Sequence, residues 1–216
     1  MIRVLTFSEP GGHPANEDSF AARSHPADPG AWLCFLADGQ GGRAGGARAA
    51  QLACQVALDA AVGLALSALA NPAAWPALLE HADCAVAADR VAGFTTLVGL
   101  CVTDTWVCGA SCGDSAVLTL CGTDPPRELT RHQFKNPPVG SGEAPFVPFA
   151  LGLAFPWRVL AMSDGVWKYA GWQRIAEAAR QPWGEPLLAA LQAGARLPGS
   201  GAFPDDFTVV AFEPEG

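Results

Sequence analysis

Apolar residues along this chain change their spacing from one stretch to the next. Residues 2–7 and 19–23 have strand character, and the Gly11-Gly12-His13-Pro14 turn separates them. Residues 32–37 are a short, nearly unbroken apolar run that stops at Asp38-Gly39, as a buried strand stops at a turn. An alanine- and leucine-rich stretch follows a glycine-rich turn and predicts a helix over 47–70, broken by Asn71-Pro72. A second helix is predicted over 73–91. From Gly93 the texture turns to Val, Thr, Leu, Trp and Cys. Residues 94–103, 105–111 and 116–121 read as an antiparallel meander, with Asp114 in the hairpin turn Cys112-Gly113-Asp114-Ser115. The Pro- and Gly-rich segment 122–156 reads as an irregular loop region. A strand over 157–161, helices over 172–180 and 184–196, and a final strand over 207–212 complete the pattern. Helices come in groups rather than alternating singly with strands, which favours an antiparallel α+β layering over a doubly wound parallel sheet.

Composition narrows the setting. The 216 residues suit one domain, 1–216, and 50% of them are hydrophobic, enough for a sizeable core. The formal net charge is −8, which argues against nucleic acid or an anionic membrane as the main partner. Of 13 basic residues only two are lysines, Lys135 and Lys168. An acidic protein that handles phosphate then needs positive charge from elsewhere, and bound cations are an attractive source. Seven cysteines lie mostly within apolar runs with no Cys-x-x-Cys pair, as expected of reduced thiols in a cytoplasmic protein. His81 and Cys84 have helical spacing but lack companions for zinc. The N-terminus has no secretory apolar segment, and the most apolar stretch, 60–70, is too short to span a bilayer.

Chemistry enters where acids meet strand ends. Glu17-Asp18 precedes a strand, Asp38-Gly39 and Asp164-Gly165 end strands, Asp114 sits in a turn, and Asp205-Asp206 opens a strand. Each Asp-Gly alone is an ordinary turn dipeptide. Gathered at one point, such carboxylates would repel and take up protons unless a cation sat among them. Hard divalent ions are the natural partners of oxygen ligands, and two of them about 3.5–4 Å apart can activate a water against phosphate.

Taken together and in order, seven segments resemble the metal-dependent PPM, or protein phosphatase 2C, family. They are Asn16-Glu17-Asp18-Ser19, Leu36-Ala37-Asp38-Gly39-Gln40-Gly41-Gly42, Gly93-Phe94-Thr95-Thr96-Leu97, Cys112-Gly113-Asp114-Ser115, Leu129-Thr130-Arg131-His132, Met162-Ser163-Asp164-Gly165-Val166-Trp167 and Asp205-Asp206-Phe207-Thr208-Val209-Val210. The resemblance implies a four-layer α-β-β-α sandwich, two antiparallel sheets flanked by helix pairs. It also implies hydrolysis of phosphoserine and phosphothreonine in proteins, with two Mn²⁺ or Mg²⁺ ions and a weaker third. Asp38 would bridge the two ions and, with Asp164, carry catalysis. Asp164 and Asp205 would hold the first ion, and Glu17 and the Gly39 carbonyl the second. Asp18 would orient ligands from behind, and Asp114 would help hold the third. The implied partners are a phosphorylated protein and a cognate Ser/Thr kinase, with the phosphatase itself a monomer.

The chain departs from the family's pattern at several points. His13 stands where an arginine usually grips phosphate, and it reads either as that contact or as an exposed turn residue. Arg43 is a second candidate for the missing charge. Gln40, after Asp38-Gly39, cannot act as a general acid. Ala116 replaces an arginine, and Lys168 replaces an aspartate, where it would repel a third cation or pair with Asp114 or another acid. These departures motivate a competing reading: a catalytically weak phosphatase-like module that binds phosphoproteins or a partner kinase.

Overall fold

The computed structural model describes residues 1–12, 15–41 and 44–215. Ten strands form two five-stranded antiparallel sheets. The first orders β1 (Ile2–Glu9), β10 (Phe207–Pro214), β9 (Trp157–Met162), β6 (Ala116–Cys121) and β7 (Arg127–Glu128). The second orders β2 (Asp18–His25), β3 (Asp28–Asp38), β4 (Leu97–Val102), β5 (Trp106–Cys112) and β8 (Val147–Gly152). Helices α1 (Gly46–Val62), α2 (Leu66–Leu69) and α3 (Trp75–Ala88) cover the second sheet. Helices α4 (Asp164–Ala170), α5 (Trp172–Ala178) and α6 (Glu185–Ala195) cover the first.

The central strands read as continuous apolar runs because both of their faces are buried. On β3, Leu33, Phe35 and Ala37 meet α1 and α3, while Cys34 and Leu36 point between the sheets. On β10, Phe207, Val209 and Ala211 meet the other helix layer, while Val210 and Phe212 point inward. Three apolar layers result, one between the sheets and one under each set of helices. This is the four-layer α+β sandwich expected from the sequence.

Several local expectations need correction. The helix predicted over 47–70 stops at Val62, where Gly63 follows, and resumes only as the single turn α2. The ring Nε2 of buried His25 lies 2.9 Å from the Leu64 carbonyl oxygen and holds the break. The helix predicted over 73–91 opens with a 3₁₀ turn, Pro72–Ala74, and ends at Ala88, beyond which the Asp89 side chain accepts from the Val91 and Ala92 amides. The three-strand meander is really two strands and a departure. β5 pairs with β4 and β8, whereas β6 joins the opposite sheet between β9 and β7. Residues 113–115 are therefore a crossover between sheets, not a hairpin turn. The region read as loop, 122–156, contains β7 and the edge strand β8, which carries Pro148. The short helix α4 was not anticipated. All seven cysteines are free: five are buried, Cys121 is half-buried and Cys84 is exposed. Among the described residues no helix is long and apolar enough to cross a membrane.

Candidate active site

Strand pairing alone sets up the first unusual feature. In the antiparallel ladder of β2 and β3, Asp18 stands directly opposite Asp38. Like charges at such positions are destabilising, so local folding does not explain the pair. The Asp38 amide donates to Thr96 Oγ1 at 2.9 Å, and its carbonyl accepts from the Thr96 amide and the Thr95 hydroxyl. Thr96 Oγ1 also lies 2.7 Å from Ser115 Oγ, which ties β3 to the crossover that carries Asp114.

Four further elements deliver acids to the same place. Glu17 precedes β2, Asp114 sits on the crossover, Asp164 opens α4 after β9, and Asp205 precedes β10. These side chains, together with Asp38 and Gly39, line one cavity of about 530 Å³. A Cβ on Gly39 would fall 2.5 Å from the Gly46 carbonyl carbon and 2.7 Å from the Glu17 carbonyl oxygen. Only glycine lets these three segments close together. A Cβ on Gly165 would meet the Asp206 carbonyl oxygen at 2.0 Å, so glycine there admits the 205–206 turn.

The electrostatics divide in two. Burial, then the charges of Asp18 and Asp164, pushes Asp38 up to about 10. Burial likewise pushes Asp18 up to about 7, softened by the nearby Thr208 and Ser163 hydroxyls. Among the described residues neither Asp18 carboxylate oxygen, nor Glu17 Oε2, has a hydrogen-bond partner of normal geometry, although all three atoms are buried. The acids nearer α4 are paired. Lys168 Nζ contacts Asp164 Oδ2 and stands 3.3 Å from Asp114 Oδ2, and Lys135 Nζ also contacts Asp114 Oδ2. Burial would raise the Asp114 carboxyl, but the two lysines hold it below the ordinary range. Asp164 stays raised by burial despite Lys168.

These residues fit hard divalent cations. Every donor facing the cavity from the acids is a carboxylate oxygen, and buried carboxylate oxygens without partners demand positive charge. Among the described residues no three His, Cys, Asp or Glu side chains stand as a ready-made ion cage. The Lys168 ammonium lies between Asp164 and Asp114.

The structure brings together Glu17, Asp38, Gly39, Asp114, Asp164 and Asp205, and places Asp18 behind the cavity against Asp38. His13 and Arg43 lie outside the described residues. Sequence reasoning missed two contributors. Asp206 accepts from the Gly11 amide at 2.8 Å and the Glu17 amide at 2.6 Å, so it fixes the segment carrying Glu17. Its position beside Asp205 was the available signal. Lys135 comes from the supposed loop region, and nothing local in the sequence marks it.

No family model and no curated protein matches the sequence. Solved structures do match its fold. The catalytic domain of the serine/threonine protein phosphatase PstP, in complex with two manganese ions, aligns at TM-score 0.80 and 22% identity, over 98% of this chain and 97% of that one. PstP/Ppp of Mycobacterium tuberculosis aligns at TM-score 0.77 and 22% identity, covering 100% and 99%. Stp1 of Staphylococcus aureus aligns at TM-score 0.78 and 16% identity, covering 100% and 96%. At these identities the likeness is one of architecture: the chain has the fold of the PPM-type serine/threonine phosphatases.

Proposed function

We propose that this protein is a phosphoprotein phosphatase that hydrolyses phosphoserine and phosphothreonine with two divalent cations, Mn²⁺ or Mg²⁺. One observation carries the reading: carboxylates from five separate chain segments, Glu17, Asp38, Asp114, Asp164 and Asp205, line one cavity, and among the described residues the buried Glu17 Oε2 and both oxygens of Asp18 behind it have no hydrogen-bond partner. A structural role would have paired them, because an unpaired buried charge costs several kcal/mol.

Asp38 would stand between the two ions. Asp164 and Asp205 would hold one, and Glu17 with the Gly39 carbonyl the other. When bound, the ions supply Lewis acidity that lowers the pKa of water and draws charge from the phosphoryl oxygens. The chain's own residues do the rest. Thr95 and Thr96 fix the Asp38 backbone, Asp206 fixes the Glu17 backbone, and Asp18 presses its charge on Asp38 from behind. Gln40 lines the cavity and can donate a hydrogen bond but not a proton, so the leaving oxygen takes its proton from water. His13 and Arg43 are the proposed grips on substrate phosphate. The enzyme would act in the cytoplasm as a monomer, opposing a Ser/Thr kinase.

One observation favours the second reading, a phosphoprotein-binding module: the Lys168 ammonium already sits on Asp164. Hydrolysis of p-nitrophenyl phosphate and a phosphothreonine peptide, with Mn²⁺ or with chelator, separates the two. Manganese-dependent turnover lost in Asp38→Asn supports the enzyme. Manganese binding with no turnover on either substrate rejects it in favour of the module.

A further inference from the structure

The chain's only two lysines, set against 11 arginines by subtraction from 13 basic residues, both contact Asp114. They arrive from different elements. Lys168 is on α4, one turn after Asp164, and its ammonium spans Asp164 Oδ2 and Asp114 Oδ2. Lys135 follows Phe134, whose carbonyl accepts from the Gly113 amide at 2.8 Å, so its backbone is fastened beside the crossover. The Asp114 backbone is held in turn by the Trp167 indole, which donates to its carbonyl at 2.8 Å.

The choice of lysine has a physical reason. An ammonium is a compact charge with three donors and can be shared between carboxylates at an angle, whereas a guanidinium spreads its charge over a planar fork. A small concentrated charge between oxygens is also what a divalent ion would provide. Counting formal charges, Asp114 and Asp164 against Lys135 and Lys168 sum to zero, so a further dication at Asp114 would meet no net attraction from this group.

We propose that Lys135 and Lys168 serve as tethered cations on Asp114, so that Asp114 binds no divalent ion and the centre loads two ions. The inference rests on the two-ion reading above, and it reassigns Asp114 from ligand to the anchor of an ammonium pair. The lysines thereby hold charge at this edge of the cavity without depending on the metal supply.

Counting Mn²⁺ equivalents by calorimetry and by the spin-resonance signal of free Mn²⁺ tests this on the full chain, without reference to activity. Wild type is expected to take up two equivalents. Lys135→Gln/Lys168→Gln is expected to take up three, and adding Asp114→Asn should return the count to two. Lys135→Ala/Lys168→Met repeats the comparison with different side chains should the glutamine pair fail to fold. No gain in either charge-free pair, or a gain that survives Asp114→Asn, would overturn the assignment. Fewer than two equivalents in wild type would instead sink the two-ion reading. The lysine assignment is still decided then, by whether their removal adds an equivalent that depends on Asp114.

Discussion

The two sides of the cavity neutralise the same charge in opposite ways. On the β2–β3 side, Asp18 and Asp38 face each other across a ladder, half-buried and raised, and among the described residues no cationic side chain pairs with either. On the α4 side, Asp114 and Asp164 are matched by two lysines. A tethered ammonium cannot diffuse away, so that side carries its own counter-charge even without metal. Among the described residues the other side has no such counter-charge of its own. The contrast separates a region shaped by the fold's own stability from one in which stability has been set aside for an exchangeable ligand.

The sharpest way to break this comparison is Asp38→Asn. It should reduce Mn²⁺-dependent phosphatase activity to background and yet raise the melting temperature of the metal-free protein near neutral pH, because an amide needs no proton on folding whereas Asp38, raised to about 10, must take one up. A variant melting below wild type under chelation would show that Asp38 is stabilising and the deficit imaginary.

A pH series on the chelated protein is next in size. Asp18 rises from 3.8 to about 7 on folding, and Asp38 from 3.8 to about 10. The folded form thus keeps protons that the unfolded chain has already lost. Their stabilising contribution is full below pH 4 and falls as pH rises, by at most about 1.4 kcal/mol per pH unit for each group. The Asp18 share is exhausted by pH 7, and the Asp38 share continues to about 10. Melting temperature should therefore drop from pH 5 to 8 under chelation and recover with Mn²⁺. A flat chelated profile would count against the unpaired acids.

Asp206→Ala should have a middling effect. It releases the Gly11 and Glu17 amides, and loss of such an orienting partner weakens metal affinity by about 10–100-fold. Calorimetric Mn²⁺ titration reads it, and unchanged affinity would demote Asp206 to a loop fastener. Lys168→Met should have the smallest effect. The ammonium is 39% exposed, so losing its ion pairs costs the metal-free protein only about 0.5–1 kcal/mol. Freed from the lysine, Asp164 should bind Mn²⁺ somewhat more tightly. Weaker binding would mean that Lys168 supports the first ion rather than competing with it.

What the sequence made legible follows from distance along the chain. The Asp38-Gly39 stop, the apolar run before it and the final strand are local patterns, and they stand where expected. Grouped helices and strands were enough for the layer order. Harder to see was β6 leaving β5 for the opposite sheet, because Cys112-Gly113-Asp114-Ser115 has the composition of a tight turn and the pairing that overrides it comes from β9. The two-residue β7 and the edge strand β8 lack a clear alternating pattern, and the seven-residue α4 is too short to show a period. The acids at strand ends that line the cavity carried local motifs. Lys135 and Asp206 could not be given roles, because these depend on partners 21 and 195 residues away, Asp114 and Gly11.

The segment that lends Lys135, Asn136 and Pro138 to the cavity lining runs on into a loop where the buried carboxylate of Asp83 on α3 accepts from the Gly140, Gly142 and Ala144 amides at 2.6–3.2 Å. The loop 140–144 is thus moored to the helix layer, whereas residues 134–139 before it are fastened to Gly113 and Thr95 beside the acids. Side chains on that loop can therefore change without disturbing the backbone bonds that hold the acids. Loop and acid cluster are fastened independently, so a change in one leaves the other's backbone in place.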